Sequence, residues 1–167
     1  MLISDIKESR IVPFEIEDQK LVKLFSFYLH RAPTIDSNSA LFIEEKELEE
    51  KWGDFLGTFS LDQFTFISAQ CQIEKYLSPY NLSDESVVSR KQKGFVCKKK
   101  ASSEPDFQCF LRHIRNAIAH SNVFLFNTSR RKYILFEDYN STKKMSARIL
   151  VSQTDLSKLK ILLYKVH

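Results

Sequence analysis

One stretch of the sequence decides the expected fold: Ser103–Ser121, SEPDFQCFLRHIRNAIAHS. Ser103 or Asp106 can cap a helix and Pro105 suits a first helical turn, so the stretch predicts a helix that continues to about Ser121. At about 100° per residue, its apolar side chains fall within one sector roughly 120° wide, which predicts a buried face. These side chains are Phe107, Phe110, Leu111, Ile114, Ala117 and Ile118.

The opposite sector of this helix carries cations, an amide and an imidazole within a few turns. Arg112, Asn116 and His120 are successive i,i+4 neighbours, and Arg115 and Ala119 share their sector. An arginine offers planar donors that match phosphate oxygens, and a histidine can take or give a proton near neutral pH. An asparagine can fix the imidazole tautomer or a substrate group. The pattern indicates either chemistry at a phosphodiester or a polar helix face without a function.

Segments before this helix predict more helix. Residues 18–31 place apolar side chains at helical spacing and are followed by Pro33, and a second helix-forming run, rich in acidic residues, begins at Glu44. A long apolar segment, residues 61–77, is interpreted as a further buried stripe of the core. Residues 81–103 break the periodicity and predict a mobile loop with room for a short strand or helical turn.

After residue 121 the period of the apolar residues changes. Val123–Phe126, Tyr133–Phe136 and Ala147–Val151 are short β-prone runs with turn-like segments between them. They predict a small antiparallel hairpin or a three-stranded meander. A terminal helix is expected from Thr154, and its inward-facing side chains would be Leu156, Leu159, Ile161, Leu162 and Val166.

Composition indicates one soluble domain. The chain has 167 residues, which suits a single domain, here residues 1–167 with a helical core at about 15–122 and a β-prone tail at 123–167. With 3 glycines it contains neither GxGxxG nor GxxxxGK[ST], which excludes Gly-rich nucleotide loops. Three scattered cysteines indicate free thiols in a reducing compartment. The N-terminus does not resemble a signal peptide and no apolar run approaches the ~20 residues that span a bilayer. A cytoplasmic protein with no membrane partner is expected.

Charge is divided along the chain. Residues 1–89 hold 8 Lys and Arg against 16 Asp and Glu, whereas residues 90–167 hold 17 against 5. The asymmetry predicts that the second half faces a polyanion, unless the two halves simply neutralise each other in the fold. The cations expected to contact substrate phosphates are Arg112, Lys98, Lys99, Lys100, Arg130 and Arg131.

No metal site and no cofactor site is expected. No cluster of His, Cys, Asp and Glu has the spacing of metal ligands. His113 lies about 10.5 Å of helical rise from His120, so the two imidazoles cannot share a metal on one straight helix. His113 is therefore expected to be a helix-surface residue.

The hexapeptide Arg115-Asn-Ala-Ile-Ala-His120 resembles the Arg-polar-x-x-x-His signature of HEPN domains. The resemblance implies a mainly α fold, a HEPN-like antiparallel helical bundle with the small C-terminal β element and terminal helix added to it. It also implies a metal-independent endoribonuclease of the toxin or defence type, which pairs as a C2 homodimer with two motifs in one cleft. On that reading Arg115 would stabilise charge at the scissile phosphate, His120 would act in acid–base catalysis as the RNA 2′-OH attacks, and Asn116 would orient His120 or the substrate.

Three alternatives remain open on the sequence alone. The chain is an active ribonuclease, a non-catalytic HEPN-like RNA-binding or protein-interaction module, or a purely structural helical partner protein. An antitoxin protein is a further expected partner of the ribonuclease. Some HEPN toxins carry a tyrosine two residues past the histidine, where an antitoxin adenylylates it, but this chain has Asn122 there.

Overall fold

Six strands form one mixed sheet in the computed structural model, which describes residues 1–32, 45–89 and 91–163. The strands are β1 Arg10–Ile11, β2 Phe64–Ile67, β3 Gly94–Lys98, β4 Val123–Asn127, β5 Lys132–Tyr139 and β6 Met145–Ser152. The helices are α1 Ile3–Ile6, α2 Gln19–His30, α3 Glu45–Leu56, α4 Glu74–Leu77, α5 Asp106–Ala119 and α6 Gln153–Leu163. A 3-10 turn, Ser78–Tyr80, follows α4.

The sheet overturns the expected helical bundle. Its strand order is β1-β4-β5-β6-β3-β2, and only β2 and β3 pair in parallel. The predicted meander is present as β4, β5 and β6, but it is the centre of the sheet rather than an accessory, because β3 pairs with β6 through Phe95 opposite Ile149. The mainly α fold class is therefore wrong.

The error arose in two segments before α5. Residues 61–77 contain β2 and the short α4 instead of one buried stripe, because Phe64 and Phe66 face one side of the sheet and Ile67 the other. This alternation has the period of a strand. Residues 81–103, expected to form a loop with room for a short strand or helical turn, contain the short strand β3, but four of its five residues are buried and it pairs within the sheet.

The two faces of the sheet are covered differently. Helices α2, α3, α5 and α6 contribute to the larger apolar core together with Phe95, Phe136 and Ile149 of the strands. The short helices α1 and α4 pack on the opposite face, against strand residues such as Val96, Leu135 and Leu150. Among the strands, helix α5 packs chiefly against β5.

Several helices confirm the sequence predictions. Helix α2 begins after Asp18, whose carboxylate accepts a hydrogen bond from the Leu21 amide at 3.2 Å. Helix α6 buries Leu156 and Leu159, but Ile161 is 71% exposed, so its predicted inward orientation is wrong. The prediction for Val166 lies outside the described residues. None of the helices in the described ranges is both long enough and apolar enough to cross a membrane.

Candidate active site

The end of α5 is fixed by its own backbone. Ser121 has a left-handed conformation with φ 56°. The Asn122 amide donates to the Ala117 carbonyl at 2.8 Å and the Ser121 amide donates to the Ile118 carbonyl at 3.2 Å. This pair of hydrogen bonds is the Schellman motif, which ends a helix and turns the chain away. His120 therefore caps α5, and the chain enters β4 three residues later.

Arg115 and His120 are both exposed on α5 and its cap. Five residues of helix separate them by about 7.5 Å along the axis and about 140° around it. The His120 amide donates to the Asn116 carbonyl at 3.0 Å, which fixes the backbone of His120. Its ring has no hydrogen bond to any residue in the part of the chain that the structure describes. Both side chains are therefore presented outward, along diverging directions of one helix.

Asp138 of β5 holds the polar face of α5. Its Oδ2 accepts from Asn116 Nδ2 at 3.2 Å and lies 2.8 Å from Nδ1 of His113. The other ring nitrogen of His113, Nε2, lies 2.7 Å from the carbonyl oxygen of Lys98. Both ring nitrogens thus lie within hydrogen-bonding distance of an oxygen atom from a neighbouring strand.

His113 is not on the helix surface. Its residue is only 1% exposed, because the ring fills the gap between α5 and the ends of β3 and β5. The sequence placed it at the edge of the polar sector, where a helical wheel cannot show which neighbour covers it. Asn116 is likewise hydrogen-bonded to Asp138 rather than to His120.

Arg112 is bound within the protein. Its Nε donates to Glu104 Oε2 at 2.8 Å, and its Nη2 donates to Glu104 Oε1 at 3.0 Å and to the Lys98 carbonyl at 3.2 Å. Burial alone would raise the pKa of Glu104, but the hydrogen bonds and the charge of Arg112 hold that pKa below its ordinary value. The bidentate pair ties α5 to the segment that precedes it.

The cations predicted to contact substrate do not share one groove. Lys98–Lys100 lie at the end of β3 beside the start of α5, where Lys99 Nζ is 2.7 Å from Asp106 Oδ1. Arg130 and Arg131 lie in the turn before β5, whose far end carries Asp138. Eight extended residues span roughly 24 Å. The structure therefore places Lys98–Lys100 at the end of the sheet beside the start of α5, and Arg130 and Arg131 at the opposite end.

Sequence reasoning missed both carboxylates that hold α5. A signal for Asp138 is present, since Glu137 and Asp138 are adjacent acidic residues within an apolar β-prone run. In a strand, adjacent side chains point to opposite faces, so each needs its own partner. Glu137 accepts from Arg148 Nε at 2.7 Å on the face opposite Asp138. Glu104 gave no comparable signal.

No group of three or more His, Cys, Asp or Glu that could hold a metal ion occurs among the described residues. A model of the family described as HEPN pEK499 p136 matches residues 11–167. No curated protein and no solved structure matches the chain. The matched range includes α5, its capping histidine and the whole sheet except the residues before Ile11.

Proposed function

Since this chain belongs to the HEPN pEK499 p136 family, we propose that it is a metal-independent endoribonuclease of the toxin or defence type. Arg115 and His120 are its proposed catalytic residues, and Asn116, the third residue of the motif, is proposed as a positioning residue. The observation that carries the proposal is the exposure of Arg115 and His120 at the end of a helix whose Arg112, His113 and Asn116 are bonded to other elements of the fold. The anchored residues hold the helix so that the exposed ones have defined positions.

In the proposed reaction the RNA 2′-oxygen attacks the adjacent phosphorus and the bond from phosphorus to the 5′-oxygen breaks. His120 accepts the proton of the attacking 2′-hydroxyl, and a proton is returned from the imidazole to the departing 5′-oxygen. Arg115 donates hydrogen bonds to the phosphate oxygens, on which negative charge accumulates in the transition state. The products carry a 2′,3′-cyclic phosphate and a 5′-hydroxyl. Asn116 acts as a positioning residue through its bond to Asp138.

We assign the active site to a homodimer. One helix supplies one Arg115 and one His120, and the two point about 140° apart around its axis. Two copies of α5 facing each other across a two-fold axis bring an arginine of one copy close to a histidine of the other. Lys98–Lys100, beside the start of α5, extend the proposed site along the RNA backbone.

The first experiment measures cleavage of a mixed RNA substrate in EDTA, with product ends analysed for cyclic phosphate. Arg115→Ala and His120→Ala are each expected to lower the rate by about 10²-fold or more. Both residues are exposed, so the free energy of unfolding should change by less than about 1 kcal/mol. Arg31→Ala and His30→Ala are matched controls at the exposed end of α2 and should cleave normally.

A mixing experiment tests the composite site. Arg115→Ala and His120→Ala, inactive alone, are unfolded together and refolded so that the two chains exchange partners. A site that takes its arginine and its histidine from different copies regains part of its activity in the mixed dimer. Continued inactivity of a verified mixed dimer contradicts the composite site, and wild-type cleavage by His120→Ala contradicts the enzyme altogether.

A non-catalytic RNA-binding module is the second candidate. It is favoured by one observation, that Asn116 is committed to Asp138 and does not orient the His120 ring. This candidate predicts that wild-type protein binds RNA, that no cyclic phosphate forms, and that His120→Ala leaves the affinity unchanged. Gel-shift titration of the same RNA with both proteins distinguishes the two functions.

A further inference from the structure

A pocket of about 510 Å³ lies at the end of the sheet remote from Asp138. It is lined where β5 and β3 begin and where β6 ends, and its walls include Phe59 and Ser60 from the segment after α3. The volume lies in the range of small-molecule sites. Lys91 and Lys93, just before β3, and Arg131, just before β5, line the same pocket because their strands begin at the same end of one sheet.

Among the described residues, three cations line this pocket: Lys91, Lys93 and Arg131. Lys93 is built into the wall, since its Nζ donates to Thr58 Oγ1 at 3.2 Å and to Asp155 Oδ1 at 3.3 Å. It also lies 4.3 Å from the centroid of the Phe59 ring. A lysine fixed by three contacts is a preorganised positive charge.

The Asp155 carboxylate in the pocket wall already has hydrogen-bond partners within the protein. The second oxygen of Asp155, Oδ2, accepts from the Ser152 amide at 3.1 Å and lies 2.9 Å from the Ser152 hydroxyl, which caps α6. Lys93 therefore balances Asp155, and the charges of Lys91 and Arg131 remain. Both are exposed, and neither forms an ion pair with a residue in the described ranges.

Arg131 is held in place by its turn. The Thr128 hydroxyl accepts from the Arg131 amide at 3.0 Å, and the Thr128 amide donates to the Arg131 carbonyl at 2.8 Å. The next residue, Lys132, forms an ion pair with Asp18 at the start of α2. These contacts fix the backbone of Arg131, so its side chain projects from a defined position on the pocket rim.

We infer that this pocket binds a small phosphorylated ligand, a phosphate monoester or a pyrophosphate, between Lys91 and Arg131. A phosphate monoester carries about two negative charges near neutral pH, which matches the two cations without an ion-pair partner among the described residues. A guanidinium binds phosphate oxygens in bidentate fashion, and a lysine adds a point charge. The hydroxyl group of Ser60 offers a further hydrogen bond to the remainder of the ligand.

This site is separate from the proposed catalytic residues. Arg131 precedes the first residue of β5, and Asp138, which anchors α5, is near the last. Binding in the pocket is therefore measurable in His120→Ala protein. The two proposals can fail independently.

Isothermal titration calorimetry of the full chain tests the inference with AMP, pyrophosphate and neutral adenosine as probes. At least one phosphate-bearing probe is expected to bind with a Kd below about 1 mM, and adenosine is not. Lys91→Ala with Arg131→Ala should weaken that binding at least about tenfold, since each loses a hydrogen bond to a charged group. Both side chains are exposed, so circular dichroism should show an unchanged fold.

The matched control is Lys100→Ala with Arg130→Ala. It removes the same charge from exposed positions, one of them adjacent to Arg131, but neither residue lines the pocket. It should bind the probe within about twofold of wild type. Equal weakening by both double variants, binding of adenosine as tight as that of AMP, or no binding of either phosphate probe would overturn the inference.

Discussion

Replacing Asp138 of β5 by alanine should lower the free energy of unfolding strongly, because Asp138 holds α5 against the sheet. Asp138 is 4% exposed, and it accepts from Asn116 while lying 2.8 Å from Nδ1 of His113, itself 1% exposed. A buried donor left without its acceptor costs about 1–3 kcal/mol, so the loss of both contacts of Asp138 should cost about 2–6 kcal/mol. For a protein of this size the loss corresponds to a fall in Tm of about 10 °C. The domain should still fold, since typical stabilities are about 5–15 kcal/mol.

The assay is urea denaturation of the variant, with Asp62→Ala as the control at an exposed aspartate. The control should change the free energy of unfolding by less than about 0.5 kcal/mol. Adding His113→Ala to Asp138→Ala should cost much less than the two single changes together, since the first change already removed the interaction. A loss below about 1 kcal/mol for Asp138→Ala, or simple additivity, would refute the assignment of Asp138 as the anchor of α5.

Two further predictions concern the residues that flank the two ends of α5. Glu104→Gln should lower the free energy of unfolding by about 1.5–3 kcal/mol near neutral pH. Burial opposes ionisation of Glu104, but Arg112 lowers its pKa in the folded protein, so this contribution is complete above the ordinary glutamate pKa and is lost as the pH falls through the pKa of the folded state. The free energies of unfolding of the two proteins, measured by urea denaturation from pH 7 to pH 3, should therefore converge. A difference that stays constant with pH would contradict the pairing. Ser121→Gly should be neutral or stabilising by up to about 0.5 kcal/mol, since glycine adopts the left-handed conformation freely. Ser121→Val should cost more than about 1 kcal/mol. A valine variant more stable to heat than the glycine variant would exclude a strained cap.

Helix α5 and the β4–β6 meander were both predicted from the spacing of apolar residues along the sequence. The apolar sector of α5 is buried as expected, since Phe107, Phe110 and Ile114 are each at most 1% exposed. The three β-prone runs became neighbouring strands because short connections favour antiparallel pairing of consecutive strands. These elements were predictable because their determining contacts lie within one helix or between strands adjacent in sequence.

β2 and β3 could not be placed in the same way. Short apolar runs do not distinguish a strand from a buried helical segment, and Phe64–Ile67 has only four residues. Its strand conformation depends on pairing with β3, which in turn pairs with β6 about fifty residues later. Gly94 at the start of β3 packs closely against the backbone that precedes β2, since an added Cβ would lie 2.3 Å from the Gln63 carbonyl oxygen. Nothing in the local pattern specifies such partners.

The sequence by itself determined the motif helix, its buried and polar faces, and the presence of Arg115 and His120 near its end. Only the tertiary structure decided which polar groups remain exposed. A helical wheel treats Arg112, His113 and Asn116 as solvent-facing or nearly so, but Glu104, the Lys98 carbonyl and Asp138 arrive from other elements and bind all three. The physical reason is that periodicity records the direction of a side chain from its own axis, whereas burial and hydrogen bonding depend on what packs against that side, and here strand pairing across the whole chain supplies it.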